Sequence, residues 1–310
     1  MVSLKESSSS IDKWLYFNLR TLICEAKMKS SHNRFGGKIV LITGASHGIG
    51  KQTALDFALA GAKVIILVAR TESKLGELEG IIRVENQVRQ VNVVSYCCDV
   101  SNKMEVSELA RKVIGRFGYI DILVNNAGIG IYGKLEDQAA EDLEIVMLTN
   151  YLGTAYCTKA FLGPMLKRRS GHIVNIASVA GSFGVAGMAG YSASKYAILG
   201  FSESLYHELH DTGVKITVVS PIGVKTDFFN HHSFGPRVPN YAGFFLEPQT
   251  VSKAILKAAC SSRLEIIVPF YVRAGVWLKQ TFPYFLNPLV GRLFRRQLNN
   301  SKTAVSDTNQ

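Results

Sequence analysis

The residues of this sequence best suited to chemistry are a tyrosine and a lysine in the segment GYSASKYAI. Tyr191 and Lys195 are four residues apart, so a helix would place both side chains on one face, one turn apart. A phenol with a pKa of about 10 exchanges protons poorly at neutral pH, and a nearby cation lowers that pKa. The pair predicts a proton donor, Tyr191, whose pKa is lowered by Lys195. In the alternative, Tyr191 is packed and Lys195 is solvated.

A glycine-rich turn, TGASHGIG, follows a short apolar run and opens a helical pattern. Such a turn can bring backbone N–H groups and a helix N-terminus to a pyrophosphate. Its spacing differs from G-x-G-x-x-G, and a tight strand-to-helix turn alone would also need glycines. Context favours a dinucleotide site, whose predicted ligands in the turn are Gly44, Ser46, His47, Gly48, Ile49 and Gly50.

The second apolar run, KVIILVAR, ends in Arg70 and not in an acid. A carboxylate at this place binds the ribose hydroxyl of NAD, whereas a guanidinium accommodates the 2′-phosphate of NADP. Ser46 and His47 could add donors to the same phosphate. The sequence therefore predicts NADP(H) in preference to NAD(H). Glu72, close behind Arg70, is the residue that argues for NAD(H).

These residues need a sheet whose strand ends meet at one edge. Seven short apolar runs alternate with helical patterns, which predicts a parallel sheet with helices on both faces. We therefore expect an α/β protein with a single Rossmann-like doubly wound parallel sheet and with N- and C-terminal extensions. The runs are KIVLITG, KVIILVAR, VNVVSYCCDV, DILVNNAG, GHIVNIAS, KITVVSP and EIIVPF.

The chain has 310 residues, of which 47% are apolar and 19% charged. These values suit a globular protein with a sizeable core and exclude a disordered one. Its five cysteines form no C-x-x-C pair, which favours free thiols in a reducing compartment over a disulfide frame or a metal site. We therefore predict no metal and a cytoplasmic location.

The net charge of +11 lies mostly at the two ends of the chain. Residues 1–38 carry seven Lys or Arg against three acids, and residues 271–310 carry six against one. We expect an N-terminal extension over 1–35, poorly ordered or peripheral, a catalytic domain over 36–270 and a basic amphipathic extension over 271–310. Aromatic residues and leucines among the basic ones indicate an anionic membrane surface as partner, and not nucleic acid.

The C-terminal extension contains FPYFLNPLVGRLFRRQL, with Pro288 expected as the first residue of a helix. Apolar residues would then share one face and arginines the other, as in an interfacial membrane anchor. A helix packed on the domain or on another subunit is the alternative. The apolar set is Leu289, Val290, Leu293 and Phe294, and the basic set is Arg292, Arg295 and Arg296.

Together these motifs resemble the classical branch of the short-chain dehydrogenase/reductase (SDR) superfamily over about residues 36–265. A single Y-x-x-x-K motif occurs often by chance, whereas the whole set of motifs in this order is specific to the superfamily. Beside the glycine-rich turn it comprises Asp99, Asn125-Asn126-Ala127-Gly128, Asn150, Ser178, Tyr191-x-x-x-Lys195 and SPIGVKT with Pro221, Gly223 and Thr226. Two departures are the isoleucine between Pro221 and Gly223 and the residue His47.

The resemblance implies a role for each catalytic residue. Tyr191 would be the general acid/base, and Lys195 would tune it and bind the cofactor ribose. Ser178 would hydrogen-bond the substrate oxygen, and Asn150 would hold a water in a proton relay. For the cofactor, the resemblance implies adenine contact by Asp99, a nucleotide-side wall at Asn126, Ala127 and Gly128, and a nicotinamide border at Pro221, Gly223 and Thr226.

Aromatic residues dominate the segment that follows the sixth strand, and they suit a hydrophobic carbonyl or alcohol. The alternative is a lid whose rings bury one another. We expect an NADP(H)-dependent oxidoreductase acting on a lipid- or steroid-like substrate, as a homo-oligomer. A 3-oxoacyl-carrier-protein-type reductase and a non-catalytic nucleotide-binding regulatory protein remain alternatives. The residues concerned are Phe183, Val185, Met188, Phe228, Phe229, Phe234, Tyr241, Phe244 and Phe245.

Overall fold

The computed structural model describes residues 33–85, 91–235 and 245–300. Its centre is a sheet of seven strands, all paired in parallel. The strands are β1 (Ile39–Thr43), β2 (Val64–Ala69), β3 (Asn92–Cys97), β4 (Ile122–Asn125), β5 (Gly171–Ile176), β6 (Val214–Pro221) and β7 (Glu265–Val268). Their order across the sheet is β3-β2-β1-β4-β5-β6-β7.

Helices cover both faces of this sheet, because the central strands are apolar on both sides. Every residue of β1, β2 and β4 is buried, as expected for a doubly covered parallel sheet. The helices are α1 (Gly48–Leu59), α2 (Glu72–Glu85), α3 (Lys103–Phe117), α4 (Ala140–Met147), α5 (Gly153–Arg168), α6 (Ala189–Glu208), α7 (Pro248–Ala258), α8 (Val272–Thr281) and α9 (Pro283–Asn300).

Two separate apolar cores result, one on each face of the sheet. Phe57 of α1 and Ile255 of α7 belong to the first core, and Val113 of α3 and Phe161 of α5 belong to the second; all four are at most 1% exposed. The prediction of a doubly wound, Rossmann-like α/β sheet is therefore confirmed.

The strand order reverses between β1 and β4, since β1 pairs with β2 on one side and with β4 on the other. In an open parallel sheet, such a reversal leaves a crevice at the carboxyl ends of the strands. The segments that leave β1, β4, β5 and β6 therefore approach one another at one edge, which is where the predicted site residues lie.

The connection between α4 and α5 is itself helical. Residues Leu148–Leu152 form a π-helical turn that joins α4 to α5. Such turns are rare and often occur at functional sites. This turn carries Asn150, whose side chain is fully buried.

The predicted N-terminal extension, 1–35, lies outside the described residues up to residue 32. Its last residue, Phe35, is 2% exposed and packs edge-on against Phe57, with ring centroids 4.7 Å apart. Residue 35 therefore packs with the sheet domain.

The C-terminal extension folds back as the two helices α8 and α9. Pro288 lies inside α9 and does not begin a helix, so that prediction was wrong. The first helical residue is Pro283, which is also suited to that position because it needs no N–H partner there. Pro288 leaves the carbonyl of Tyr284 without a helical donor, and Tyr284 is 95% exposed, so water can replace that donor. Among the described residues, no helix is both long and apolar enough to cross a bilayer.

Candidate active site

The structure brings the predicted proton donor, its lysine and the serine together. Tyr191 and Lys195 lie in the first two turns of α6, and the Lys195 Nζ is 5.5 Å from the centre of the Tyr191 ring. That ammonium donates a 2.8 Å hydrogen bond to the carbonyl of Ile176, the last residue of β5. Ser178, two residues further, lines the same cavity as Tyr191 and interacts with its hydroxyl in a way that favours the phenolate. The Ser178 hydroxyl also accepts the backbone N–H of Ala180 at 3.1 Å.

The electrostatics of the pair differ from the prediction. Burial raises the pKa of Tyr191 to about 12, with the Ser178 hydroxyl acting in the opposite direction. Burial also lowers the pKa of Lys195 to about 8. The expectation that Lys195 lowers the pKa of Tyr191 is therefore wrong for this structure. The physical reason is that desolvation of the phenol dominates its pKa, while the Lys195 ammonium is hydrogen-bonded to the Ile176 carbonyl.

Asn150 fixes the loop after β4 against α6. Its Oδ1 accepts the Ile129 N–H at 2.8 Å, and its Nδ2 donates to the Ile129 carbonyl and to the Ser194 hydroxyl, both at 2.9 Å. A Cβ on Gly128 would lie 3.2 Å from the Asn150 Oδ1 and 3.6 Å from the Lys195 Nζ. Glycine at position 128 therefore leaves room for the loop, the asparagine and the lysine to pack closely.

Ser194 is a positioning residue that sequence reasoning missed. Its hydroxyl accepts the Asn150 amide and donates to the Tyr191 carbonyl at 2.7 Å. A serine inside Tyr191-x-x-x-Lys195 gave only a weak signal, because a small helical residue is equally suited to packing. The buried amide of Asn150 on the facing turn is what gives that serine its role.

The glycine-rich turn fits a dinucleotide pyrophosphate. Gly44 and Gly48 have positive φ values of 63° and 55°, and a Cβ on Gly50 would lie 2.1 Å from the Gly44 oxygen. Glycines are therefore required for this turn to close. Helix α1 begins at Gly48 with no side-chain cap and no acid in its first turn. Its N-terminal dipole is thus left to favour an anionic group.

The turn after β4 is held directly against the glycine-rich turn. The Asn126 Nδ2 donates to the carbonyls of Thr43 and Gly44 at 3.0 and 3.1 Å. The Thr43 hydroxyl in turn accepts the backbone N–H groups of Asn126 and Ala127. These bonds join the ends of β1 and β4 and build one wall of the crevice.

Arg70 and Asp99 lie at the carboxyl ends of β2 and β3, as predicted for an adenosine end. The Arg70 Nη1 is 3.9 Å from the Asp99 Oδ2, and Arg70 remains 61% exposed. Asp99 also accepts the N–H and hydroxyl of Ser101 at 2.9 and 2.7 Å. The competing acid, Glu72, is exposed at the start of α2. The guanidinium of Arg70 and the carboxylate of Glu72 are therefore both accessible to a ligand.

A cavity of about 410 Å³ opens at this edge of the sheet. It joins the cofactor-side residues to the proton donor, so one space can hold two reactants side by side. The other predicted site residues lie around it in the turns described above. The predicted residues that line it are Ile49, Asn126, Gly128, Ser178, Tyr191, Lys195, Pro221, Gly223 and Thr226.

The far wall of the cavity is apolar and aromatic. Phe228 contacts Tyr191 edge-on, with ring centroids 5.3 Å apart. Phe234 does not line the cavity; it is 3% exposed and stacks on Tyr132 at 5.8 Å. The segment therefore combines both alternatives: Phe234 is buried against another ring, as in a lid, while other rings face the cavity, as in a substrate pocket. Those that line it are Phe183, Val185, Met188, Phe228, Phe229 and Phe245, while Tyr241 and Phe244 lie outside the described residues.

The C-terminal helices complete the same cavity, which sequence reasoning missed. Val272 of α8 and Val290 and Phe294 of α9 line it. Phe294 is 9% exposed, which corresponds to the alternative of a helix packed on the domain. No local pattern could show that a helix after the last strand returns to the active site.

In the described part of the chain, no three His, Cys, Asp or Glu side chains group as metal ligands. His231 and His232 are exposed in the segment after β6. The His231 ring bonds instead to the Ser233 hydroxyl, at 2.7 Å.

Comparison with known proteins agrees with this architecture. A sequence profile described as short chain dehydrogenase matches residues 38–234. Mouse epidermal retinol dehydrogenase 2 is 33% identical over 284 residues, which cover 91% of this chain and 89% of that protein. A short-chain dehydrogenase/reductase from Burkholderia phymatum, solved with NAD, is 28% identical with a TM-score of 0.72 and covers 81% of this chain and 95% of its own.

A second solved structure carries the other cofactor type. The alcohol dehydrogenase from Thermococcus sibiricus, complexed with 5-hydroxy-NADP, is 27% identical with a TM-score of 0.65. It covers 74% of this chain and 95% of that chain. Similar folds therefore occur with NAD and with an NADP derivative.

The buried Lys195 makes stability depend on pH in a stated direction. Its pKa is about 8 in the folded protein, against an ordinary value of 10.5 in the unfolded chain, so between these pH values mainly the unfolded chain holds the proton. Unfolding free energy therefore rises with pH across this window, relative to Lys195→Met, by up to about 3 kcal/mol. Urea unfolding of both proteins from pH 7 to about pH 10.5 measures the difference. A difference that stays constant would contradict the buried, proton-poor lysine.

Proposed function

The chain belongs to the short-chain dehydrogenase/reductase superfamily, and on that premise we propose an NADP(H)-dependent enzyme for a hydrophobic substrate. The family membership makes it an oxidoreductase acting on an alcohol or carbonyl. The proposal adds that the substrate is lipid- or steroid-like and that Tyr191 is the general acid/base. The single observation that carries it is an apolar cavity with Ser178, Tyr191 and Lys195 at one side.

The proposed chemistry places the substrate oxygen between two hydroxyl groups. When bound, the nicotinamide cofactor supplies or accepts the hydride. Tyr191 donates its hydroxyl proton to the carbonyl oxygen during reduction and takes a proton from the alcohol during oxidation. Ser178 and Tyr191 line the same cavity, so both hydroxyl groups can hold the same substrate oxygen. General acid/base catalysis of this kind contributes roughly 10²–10⁴-fold to the rate.

Lys195 has the task of making the phenolate accessible. In the present structure its ammonium donates to the Ile176 carbonyl, and the phenol has a pKa of about 12. Any closer approach of the ammonium to the hydroxyl favours the phenolate, since opposite charges attract strongly in a desolvated site. Asn150, packed against Gly128 and Ser194, holds this side of the cavity in place.

NADP(H) is the proposed cofactor because the adenosine end presents an exposed guanidinium. The residue directly after β2 is Arg70, where an NAD-binding site would have an acid. A guanidinium pairs well with a phosphate and poorly with an unmodified ribose. Glu72 is the residue that would serve NAD(H) instead, and it belongs to the first turn of α2.

A hydrophobic substrate suits the wall opposite Tyr191. Phe228, Phe229 and Phe245 face the cavity, and no Asp, Glu or Arg lines it. Polar groups in a pocket are usually few and fix orientation, while apolar surface supplies the affinity. The retinol dehydrogenase named among the relatives takes a substrate of this class, which supports the proposal.

The two alternatives from the sequence are weaker on these observations. A non-catalytic nucleotide-binding protein has no need for a phenol, a lysine and a serine that line one cavity together. A 3-oxoacyl-carrier-protein-type reductase would use a basic docking patch for its acidic carrier, but the basic helices α8 and α9 beside the cavity also expose many large apolar side chains, which suit a lipid surface better than a soluble acidic carrier. We propose a cytoplasmic location, at a membrane surface, and assembly into a homo-oligomer stays a prediction.

Replacing Tyr191 tests the proton chemistry. We expect Tyr191→Phe to lower kcat by about 10²–10⁴-fold, because the variant keeps the ring but loses the acid. Turnover is measured as the loss of NADPH absorbance in the presence of about 1 mM of each carbonyl. Tyr206→Phe, on the same helix but partly exposed at 37%, is the matched control and should keep wild-type turnover.

The carbonyl panel should be graded in chain length and ring count. Turnover confined to short polar carbonyls would overturn the substrate class, and full activity of Tyr191→Phe would overturn the assigned acid. The two parts of the proposal therefore fail separately.

Replacing Arg70 tests the cofactor preference. Arg70→Ala should raise the KM for NADPH about tenfold, as expected for loss of one charge-assisted phosphate contact, and leave the KM for NADH nearly unchanged. Steady-state kinetics with both cofactors measure the ratio. Arg111→Ala, an exposed arginine paired with Glu108 on α3, serves as the control. Equal loss with both cofactors would contradict a 2′-phosphate contact.

A further inference from the structure

We propose that helices α8 and α9 carry a docking surface for an anionic membrane, which delivers apolar substrate to the cavity behind them. Delivery rests on the proposed function, whereas docking does not. The docking surface is defined by its exposed apolar side chains, which are Phe270, Tyr271, Trp277, Leu278, Phe282, Tyr284, Phe285 and Leu289.

The exposed apolar residues are concentrated in this one place. Of fifteen large hydrophobic side chains that are exposed in the described part of the chain, eight belong to the docking surface. Phe270 is 84% exposed, Trp277 62% and Phe285 71%. Single exposed apolar residues are ordinary, but a cluster of this kind marks an interaction site.

Helix α9 is apolar on two opposite sides. Phe285 and Leu289, one turn apart, lie on the outward side beside Arg292, and all three are exposed. Val290 and Phe294, about half a turn away around the axis, line the cavity. Packing on the domain satisfies only the inner side. The outward side therefore needs a second apolar environment.

The outer surface and the cavity wall are adjacent in the chain. Val272 lines the cavity directly after the exposed Phe270 and Tyr271. On α9, the exposed Leu289 directly precedes Val290, which lines the cavity. The two helices thus separate the docking surface from the substrate by a single layer, so an apolar molecule has only a short way to travel.

Charge selects the partner. No Asp or Glu occurs between Glu265 and Asp307, while Arg273, Arg292 and Arg295 are exposed in that interval. A second copy of the same surface would bring like charges together, whereas anionic lipid headgroups would pair with them. Tyrosine and tryptophan rings suit the boundary between headgroups and acyl chains. These features favour a bilayer surface over self-association.

Lys279 holds the docking surface in register with the active site. Its Nζ donates to the carbonyl of Ser182 at 3.0 Å and to the Tyr196 hydroxyl at 3.3 Å. Ser182 belongs to the segment that follows Ser178, and Tyr196 directly follows Lys195. Helix α8 is therefore tied to the elements that carry the reacting groups.

Tryptophan fluorescence of the full chain tests the docking directly. The chain has two tryptophans, so Trp14→Phe leaves Trp277 as the only reporter. Vesicles of phosphatidylcholine mixed with phosphatidylserine should shift its emission to shorter wavelength and float the protein in a density gradient. Phosphatidylcholine vesicles alone should bind more weakly, and added salt should weaken the binding further.

A triple variant and a matched control assign the binding to this surface. Trp277→Ser, Tyr284→Ser and Phe285→Ser together should lower the floated fraction about tenfold. Val84→Ser, Met104→Ser and Leu135→Ser, which are exposed at 60–75% on other elements, should leave it unchanged. Equal flotation of the triple variant would overturn the proposal, as would an absence of binding by the wild type.

A second measurement separates docking from self-association and from the enzyme's activity. Sedimentation without vesicles should give the same assembly state for wild type and triple variant; dissociation of the variant alone would show that a second copy covers the surface, and would overturn the proposal. For an apolar substrate presented in vesicles, the triple variant should raise KM about tenfold and keep kcat. The same substrate presented in cyclodextrin should show no difference. Binding without any turnover would leave docking standing and refute the proposed function.

Discussion

The site depends on the hydrogen bond from the Lys195 ammonium to the Ile176 carbonyl inside the protein. A buried ammonium is costly unless it is paired, and this bond ties α6 to the end of β5. Desolvation still lowers the pKa of Lys195 and raises that of Tyr191. The phenol is therefore kept protonated, which suits a group that must donate a proton when a carbonyl is present. The remaining elements of the edge serve to keep this pair dry and aligned.

The crevice that holds the pair is built by mutual contacts between strand ends. Asn126 and Thr43 join β4 to β1, while Asn150 joins the loop after β4 to α6 through Ser194. Glycines occur where these segments touch, since side chains at Gly50 or Gly128 would collide or crowd. The proposed nucleotide end and the proposed proton-donor end thereby share one wall, so that two reactants could be held side by side.

The cavity owes its apolar character to segments on both sides of the sheet domain's end. Phe228 and Phe245 come from the connection between β6 and α7, while Val290 and Phe294 come from α9. The last helices contact the cavity on their inner side, so a molecule bound to their outer side could affect the cavity. That outer side is aromatic and acid-free, so the physical environment of the surface and the chemistry of the cavity become linked.

The sequence determined the seven strands and the doubly wound sheet, because apolar runs and glycine turns act locally, and helical spacing determined that Tyr191 and Lys195 share one face. The place of Ser178 beside them was implied by the family resemblance. The sequence also indicated amphipathic character after residue 271. Only the tertiary structure decided that Phe234 turns to Tyr132 while Phe228 faces the cavity, and that Phe294 reaches the active site. The direction of the pKa shift of Tyr191 could not be predicted from the sequence either. Burial depends on what packs around a side chain, and that packing joins residues distant in the chain.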